Sequence, residues 1–338
     1  MRLKEWCNLR NFFNKLKDEN GNIAVIVAVG MVVLLGFSAF VLDLGVVYNQ
    51  SSKLQNALDS AALAAAQKLP AENTASWAWL AAKDQAIKFA DLNNCPITSD
   101  NIQPVYKGNL PAGQIVGVKI TKSLEVDYNF ARVLGINSGT VTRAATAALK
   151  PAGGLRGGIP LSITDDSLSQ AIAENAVTDL TIKSSSNADD IGIDCTDVSG
   201  WFGALQFDGT GASIYSDLLA YGYSGNLYVG QILNMENGNM SGPTLEGFST
   251  RYDNCHDGCT ADNFEPDCPR LVYIPVVDII SNSQVKIVSF AAFFLLECGG
   301  NGNNSYITAT YIDHAVLPDS APGASGIDYG VYVTKLSE

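Results

Sequence analysis

Proline is missing from the first 69 residues, so nothing in that stretch has to interrupt a helix. Histidine is nearly missing too. Only His256 and His314 occur in 338 residues, too few for a His-rich metal or acid–base constellation. Charge is scarce at 16%, and the basic sign scarcer still, with 21 Lys and Arg against 34 Asp and Glu. A net charge of −13 excludes a nucleic-acid binder, which needs a basic face for phosphate. Glycine (31) and proline (12) are too few for a collagen-like or low-complexity chain, and 47% hydrophobic residues exclude wholesale disorder. No G-x-S-x-G, H-E-x-x-H or Walker A motif occurs, and His314 beside Asp313 reads as a surface or satisfied histidine. The chain is therefore expected to be non-catalytic and to use no cofactor.

What the sequence does have is one concentrated apolar run. Residues Asn22 to Leu42 carry neither charge nor proline over 21 positions. As a helix this run would be about 31 Å long, the thickness of a bilayer's hydrocarbon core. Five basic and three acidic residues precede it, and 16 basic against 31 acidic follow it. The positive-inside rule then puts residues 1–21 in the cytoplasm, 22–42 in the membrane and the body outside. The run is longer than a signal-peptide core and lacks a closing small-x-small site, so a retained single-pass anchor is expected. Trp6, Leu9, Phe12, Phe13 and Leu16 recur at helical spacing between lysines, the pattern of a helix lying along the membrane.

Helical pattern continues past the span. Val47, Leu54, Leu58, Ala61, Ala65 and Leu69 share one stripe, diluted at Ser51, and the Ala-rich stretch is an excellent helix former. Span and stripe predict one rod of about 48 residues, whose small face could meet another helix or the chain's own body. A second helix is predicted over Thr74–Leu92, capped by Thr74 or Ser76, with Trp77, Leu80, Ala81, Ile87 and Ala90 on its apolar face. Strands are predicted at Ile102–Tyr106, Gln114–Lys122, Leu124–Tyr128 and Thr140–Leu149, with turns at Gly113 and Ser123 and a helical turn at Phe130–Leu134. Pro151–Gly158 reads as a flexible linker.

Beyond it, residues 159–338 read as mostly β, with strands at Ile159–Thr164, Trp201–Phe207, Leu227–Gln231, Leu271–Asp278, Val285–Leu296, Tyr306–Tyr311 and Val331–Thr334. The expected class is α+β: a transmembrane helix extended outward, a small α+β module over 43–150, and a β-rich domain over 159–338.

Gly21-Asn22-Ile23-Ala24-Val25, the apolar span, Asp43-Leu44-Gly45, Leu54-Gln55-Asn56-Ala57 and Asp59-Ser60-Ala61-Ala62-Leu63-Ala64-Ala65-Ala66 form an ordered set. Together they resemble the N-terminal region of TadE/TadG-like proteins of the Flp (tight adherence) pilus assembly system. Gly21, Asp43, Gly45, Gln55, Asn56 and Asp59 carry the motif. Val229-Gly230-Gln231, Gly238-Asn239, Pro269-Arg270-Leu271-Val272 and Ile274-Pro275-Val276-Val277-Asp278 look like the outer part of the TadG-like branch. Type IV prepilins share the layout but carry a Glu five residues after the cleaved glycine. Ile26 stands there in this chain, which favours the TadG-like branch over an incorporated pilin. The resemblance implies a membrane-anchored structural or interaction role at the bacterial cell surface. Its implied partners are the membrane and, through the N-terminal helix, other pilus-assembly or pilin-like proteins. An independent surface adhesin or ligand-binding protein on the same anchor is the alternative.

Cys7 precedes the span. Cys95, Cys195, Cys255, Cys259, Cys268 and Cys298 follow it, an even number suited to as many as three disulfides outside the cell. Cys255-His256-Asp257-Gly258-Cys259 with Cys268 has a Cys3His zinc site as its alternative. Asp165, Ser167 and Ser169 match D-x-S-x-S, the Mg²⁺ loop of von Willebrand A domains. The plainer reading is a helix start, with Asp and Ser capping Leu168–Val177.

Overall fold

In the computed structural model, the residues described are 19–107, 113–178, 180–184, 201–237, 240–255, 258–265, 267–300, 306–317 and 327–337. The first element is the rod. Helix α1 runs Glu19–Ala66 without a break, 48 residues or about 72 Å. Its apolar half, long enough to cross a membrane, touches nothing else in the chain: Ile23, Val29, Leu34, Phe37 and Phe40 are all exposed. The expected helix along the membrane near Trp6 lies outside the described residues.

The outer half of α1 is the spine of the first module. Leu54, Leu58, Ala61, Ala65 and Leu69 are fully or almost fully buried, so of the two expected occupants of the small face it is the chain's own body that covers it. Against it lies α2 (Trp77–Leu92), whose cap Ser76 accepts from the Trp79 amide at 3.4 Å. The inward face of α2 is Trp79, Ala82, Ala86 and Ala90, with Ile87 packed at its edge, so the predicted face is right at Ile87 and Ala90 and rotated away at Trp77 and Leu80. Trp77 is 79% exposed and Leu80 points outward as well. Alanine facing alanine lets the two helix backbones approach closely, so the bulky residues are turned out.

Strands β1 (Ile102–Tyr106), β2 (Ile115–Asp127) and β3 (Ser138–Pro151) form an antiparallel sheet on the other side of the rod. No turn interrupts β2 at Ser123. That residue stays in register opposite Thr142, hydroxyl to hydroxyl at 2.8 Å. The chain's last strand, β14 (Val331–Ser337), comes back to this sheet and pairs with β3, while β13 (Ala315–Val316) runs parallel to it.

The stretch read as a linker is structured. Strand β4 (Gly154–Arg156) pairs with β8 (Asn226–Tyr228), and Ala152 and Leu155 are buried. Glycine is needed at 158 for closeness rather than freedom, since a Cβ there would meet Leu155 Cδ2 at 2.9 Å and Leu227 Cδ1 at 3.2 Å.

The second module is built on a long hairpin, β10 (Leu271–Ser281) and β11 (Gln284–Gly299). Ala291, Phe293 and Leu295 face one core, and Phe290 and Ala292 the other. Both faces of the strand are covered, which is why it reads as an unbroken apolar run. Strand β12 (Tyr306–Ile312) extends the sheet to β6 (Leu180–Ser184), and β5 (Ile163–Thr164) pairs in parallel with β10. At the far end of the hairpin β9 (Ile232–Asn237) pairs with β11 and with β7 (Trp201–Gln206).

Helix α3 (Asp165–Ala173) and the unpredicted helices α4 (Ala212–Tyr221) and α5 (Ser241–Asp253) cover the first face. The class is α+β, as expected, with more helix in the second module than the sequence suggested.

The α1–α2 packing gives a direct test. Ala86→Leu places three extra carbons between two close backbones and should destabilise the first module by about 1–3 kcal/mol. Thermal unfolding of the detergent-solubilised chain reads this, and an unchanged midpoint would mean the helices are not closely packed there.

Candidate functional site

The motif residues of α1 form a ladder of grips on the β2–β3 hairpin. Lowest is Asp43, immediately beyond the apolar run and buried against the hairpin's end. Its Oδ1 accepts from the amides of Asn129 (2.8 Å) and Phe130 (3.2 Å), and its Oδ2 from Phe130 (3.1 Å) and Ala131 (2.7 Å). These are the free N–H groups opening the 3₁₀ turn Ala131–Leu134, so the carboxylate satisfies donors the turn cannot satisfy itself. Two turns higher, Ser51 Oγ accepts from Arg143 Nε at 2.8 Å. One turn above that, Gln55 Nε2 donates to Ala144 O at 3.2 Å and to Asp59 Oδ1 at 2.8 Å.

Asp43 and Gln55 are thus the motif residues whose side chains engage this interface, and Asp59 accepts from Gln55 within α1. Gly45 is open, with nothing within 4 Å of a would-be Cβ. Asn56 is exposed and lines an open groove of about 720 Å³ with Gln50, Lys53, Cys95 and Lys122. Gly21 lies in the first turn of α1. In that groove burial raises the Cys95 thiol's pKa, with Lys122 opposing the shift.

A second cluster lies in the other module. Cys255 follows α5, Cys259 is four residues on, and Cys268 precedes β10. Their sulfurs all lie within 4.8 Å of one another, with Cys255 and Cys268 at 3.5 Å. Two arginines set this loop. Arg251, buried in α5, donates through Nε to Leu219 O at the end of α4 and through Nη1 to Pro269 O at 2.7 Å. Burial lowers its pKa to about 10, still charged at neutral pH. Arg270 sits between the rings of Tyr252 (4.9 Å) and Phe294 (4.5 Å) and donates to Leu295 O at 2.8 Å. Gly247 lets α4 and α5 meet, since a Cβ there would lie 2.7 Å from Leu219 Cβ.

Burial first, and then the Cys268 and Cys259 thiols, push the Cys255 thiol up to about 11, so it is protonated at neutral pH. A trio so placed can close one disulfide or supply three ligands to a thiophilic cation. None of the five described cysteines, Cys95 and Cys298 included, is in a disulfide. Cys7, Cys195 and His256 lie outside the described residues.

The D-x-S-x-S segment opens α3, which is shorter than expected and capped by Thr164, whose Oγ1 accepts from the Ser167 amide at 3.3 Å. Thr164 Oγ1 also donates to Ser167 Oγ at 2.7 Å. The Tyr329 hydroxyl donates to Asp165 Oδ1 at 2.7 Å and lies 2.6 Å from Ser169 Oγ. Asp278, on the strand beside β5, has its pKa raised by burial and by the Asp165 and Asp166 charges. The parallel pairs among the described strands are β5–β10 and β13–β14, not the alternating parallel sheet of an A domain. His314 is not the satisfied histidine expected. Its Nδ1 is buried without a hydrogen-bond partner among the described residues, and burial lowers its pKa against the pull of Asp313.

Residues 21–68 match the Tad family model, described as Flp pilus-assembly TadE/G-like. The match spans the apolar run and the whole gripping face of α1, and ends where α1 ends. No curated protein and no solved structure matches the chain.

Removing the lowest grip should free its amides. In Asp43→Ala the amides of Asn129–Ala131 should exchange hydrogen faster while those of α2 keep their protection, read by exchange mass spectrometry in detergent. Equal protection in both proteins would mean that other contacts hold the turn. The segment that carries these grips is, over residues 21–68, similar to Flp pilus-assembly TadE/G-like proteins.

Proposed function

We propose that the chain is a single-pass membrane protein that takes a non-catalytic structural or interaction part in assembling or anchoring an Flp-type pilus. The observation that carries the reading is the family match over residues 21–68, the segment that joins the apolar run to the body. The apolar half of α1 crosses the bilayer with its basic end in the cytoplasm, and the acidic body lies outside. Because the outer small-residue face is already covered, contact with pilin-like helices falls to the span itself. There close packing and interhelical hydrogen bonds, rather than hydrophobic exclusion, drive association.

Outside the cytoplasm the thiol trio closes one disulfide, between Cys255 and Cys268, whose sulfurs lie 3.5 Å apart. Bond formation takes two protons and two electrons to an external oxidant. Joining them encloses a loop of about a dozen residues, worth on the order of 3 kcal/mol in the chain-entropy account.

Three measurements test this. Alkaline phosphatase fused after Glu338 should be active in cells, and an inactive fusion would reverse the orientation. Deleting the gene from a piliated strain should remove or strongly reduce surface pili, restored by the intact gene, and normal pili would overturn the role. Peptide mapping of unreduced protein should find Cys255 joined to Cys268, and full alkylation of both would overturn the disulfide.

A further inference from the structure

The β2–β3 hairpin descends along α1 toward the apolar run. Ala144 lies beside Gln55, Arg143 beside Ser51, and the turn at 129–131 beside Asp43. Twelve helix residues separate the top and bottom grips, a drop of about 18 Å. The hairpin's end therefore lies level with the edge of the apolar run, one residue beyond Leu42.

That end is apolar and uncovered. Phe130 is 45% exposed, Val133 87% and Ile136 54%. Three large apolar side chains within seven residues of a tight turn are unusual on a surface facing only water. The turn itself is fixed. The Val133 amide donates to Phe130 O (3.0 Å), the Ile136 amide to Ala131 O (3.2 Å), and Gly135 takes φ +84° to close it. Just past the run on α1, Leu44 and Tyr48 are exposed as well, and Arg132 in the turn is an exposed cation with Asp127 Oδ1 4.0 Å away. An aromatic ring just past an apolar span and a basic residue among apolar ones suit the headgroup layer.

We propose that the hairpin end, residues 130–136, seats in the lipid surface beside the span, with Phe130, Val133 and Ile136 in the acyl–headgroup boundary and Arg132 among the phosphates. The proposal rests on the reading of α1 as a membrane span, and continuity with that span is what selects lipid as the occupant. A tethered loop needs little affinity of its own, because the span already holds it at the surface. Three apolar residues too weak to recruit a free protein can then stay inserted. The body acquires two attachments, the span and the hairpin end, which together fix its tilt and its rotation about the rod.

The full chain, reconstituted in vesicles of phosphatidylethanolamine and phosphatidylglycerol, tests this with a photo-crosslinking residue at single sites. Val133→p-benzoylphenylalanine and Ile136→p-benzoylphenylalanine should yield lipid adducts by mass spectrometry, as should Leu34→p-benzoylphenylalanine within the span. Tyr221→p-benzoylphenylalanine, exposed on α4 in the other module, should yield none. Lipid adducts at Leu34 without any at Val133 and Ile136 would overturn the seating while leaving the span intact. Adducts from Val133 to a second copy of the chain would overturn it in favour of a protein contact. Absence of adducts at all three sites would remove the span and the seating together.

Discussion

A carboxylate that collects four hydrogen bonds from three successive backbone amides is what joins the outer body to the rod at its foot. Asp43 sits where the apolar run ends, and a charge there must stay in water or find donors. The turn at 129–131 has the opposite problem, with amides pointing outward and no helix behind them to accept. Each need meets the other, and the result depends on α1 staying helical through residue 43. If the helix unwound at the membrane edge, Asp43 would turn away and the hairpin would lose its lowest grip. The unbroken helix and the placement of the hairpin are therefore one constraint.

The second module is positioned through the first. Strand β14 crosses from the second module to pair with β3, and Ala152 donates to Val331 O where the two chain directions meet. Gly330 accepts from Ala315, and at φ +75° with Asp313 O only 2.4 Å from a would-be Cβ, it allows a crossing no larger residue would fit. Chain ends far apart in sequence are thereby stitched into one sheet edge. Lys107 beside Asp328, at 2.7 Å, adds an ion pair across the same seam. That pair is largely exposed and so a minor contribution beside the strand pairing.

Legibility in the sequence followed how local each cause is. The rod was readable because no proline, no charge and an alanine-rich stripe all act within a few residues. Strand β11 was readable because both its faces are covered. Helices α4 and α5 were not, because their starts carry no side-chain cap (Gly211 and Met240 stand there) and Gly247 lies in the middle of α5. Gly247 answers to the packing of α4, which no local pattern announces. The face of α2 was read only in part, at Ile87 and Ala90, for a related reason: apolar residues surround that helix, and the choice falls to alanine because α1 opposite is alanine too. In the glycine-rich stretch before β5 freedom and closeness both operate, since Gly157 takes φ +80° in open space whereas Gly158 is closed in by Leu155 and Leu227. At the site, the motif marked Asp43 and Gln55, but the hairpin they hold lies more than eighty residues away, so their role as grips appeared only in the fold.

The gripping ladder also bears on how an anchored body could act on its neighbours. From Asp43 to Ala66 the rod is packed over about 35 Å, too long and too well buried for the body to swivel about it. Any tilt or rotation of the apolar half is then carried to the two modules as a rigid motion. A flexible tether would lose such a motion within a few residues. The glycines that could have served as a joint, Gly30, Gly36 and Gly45, all remain in the helix. The continuous backbone with its side grips sets what the rod moves.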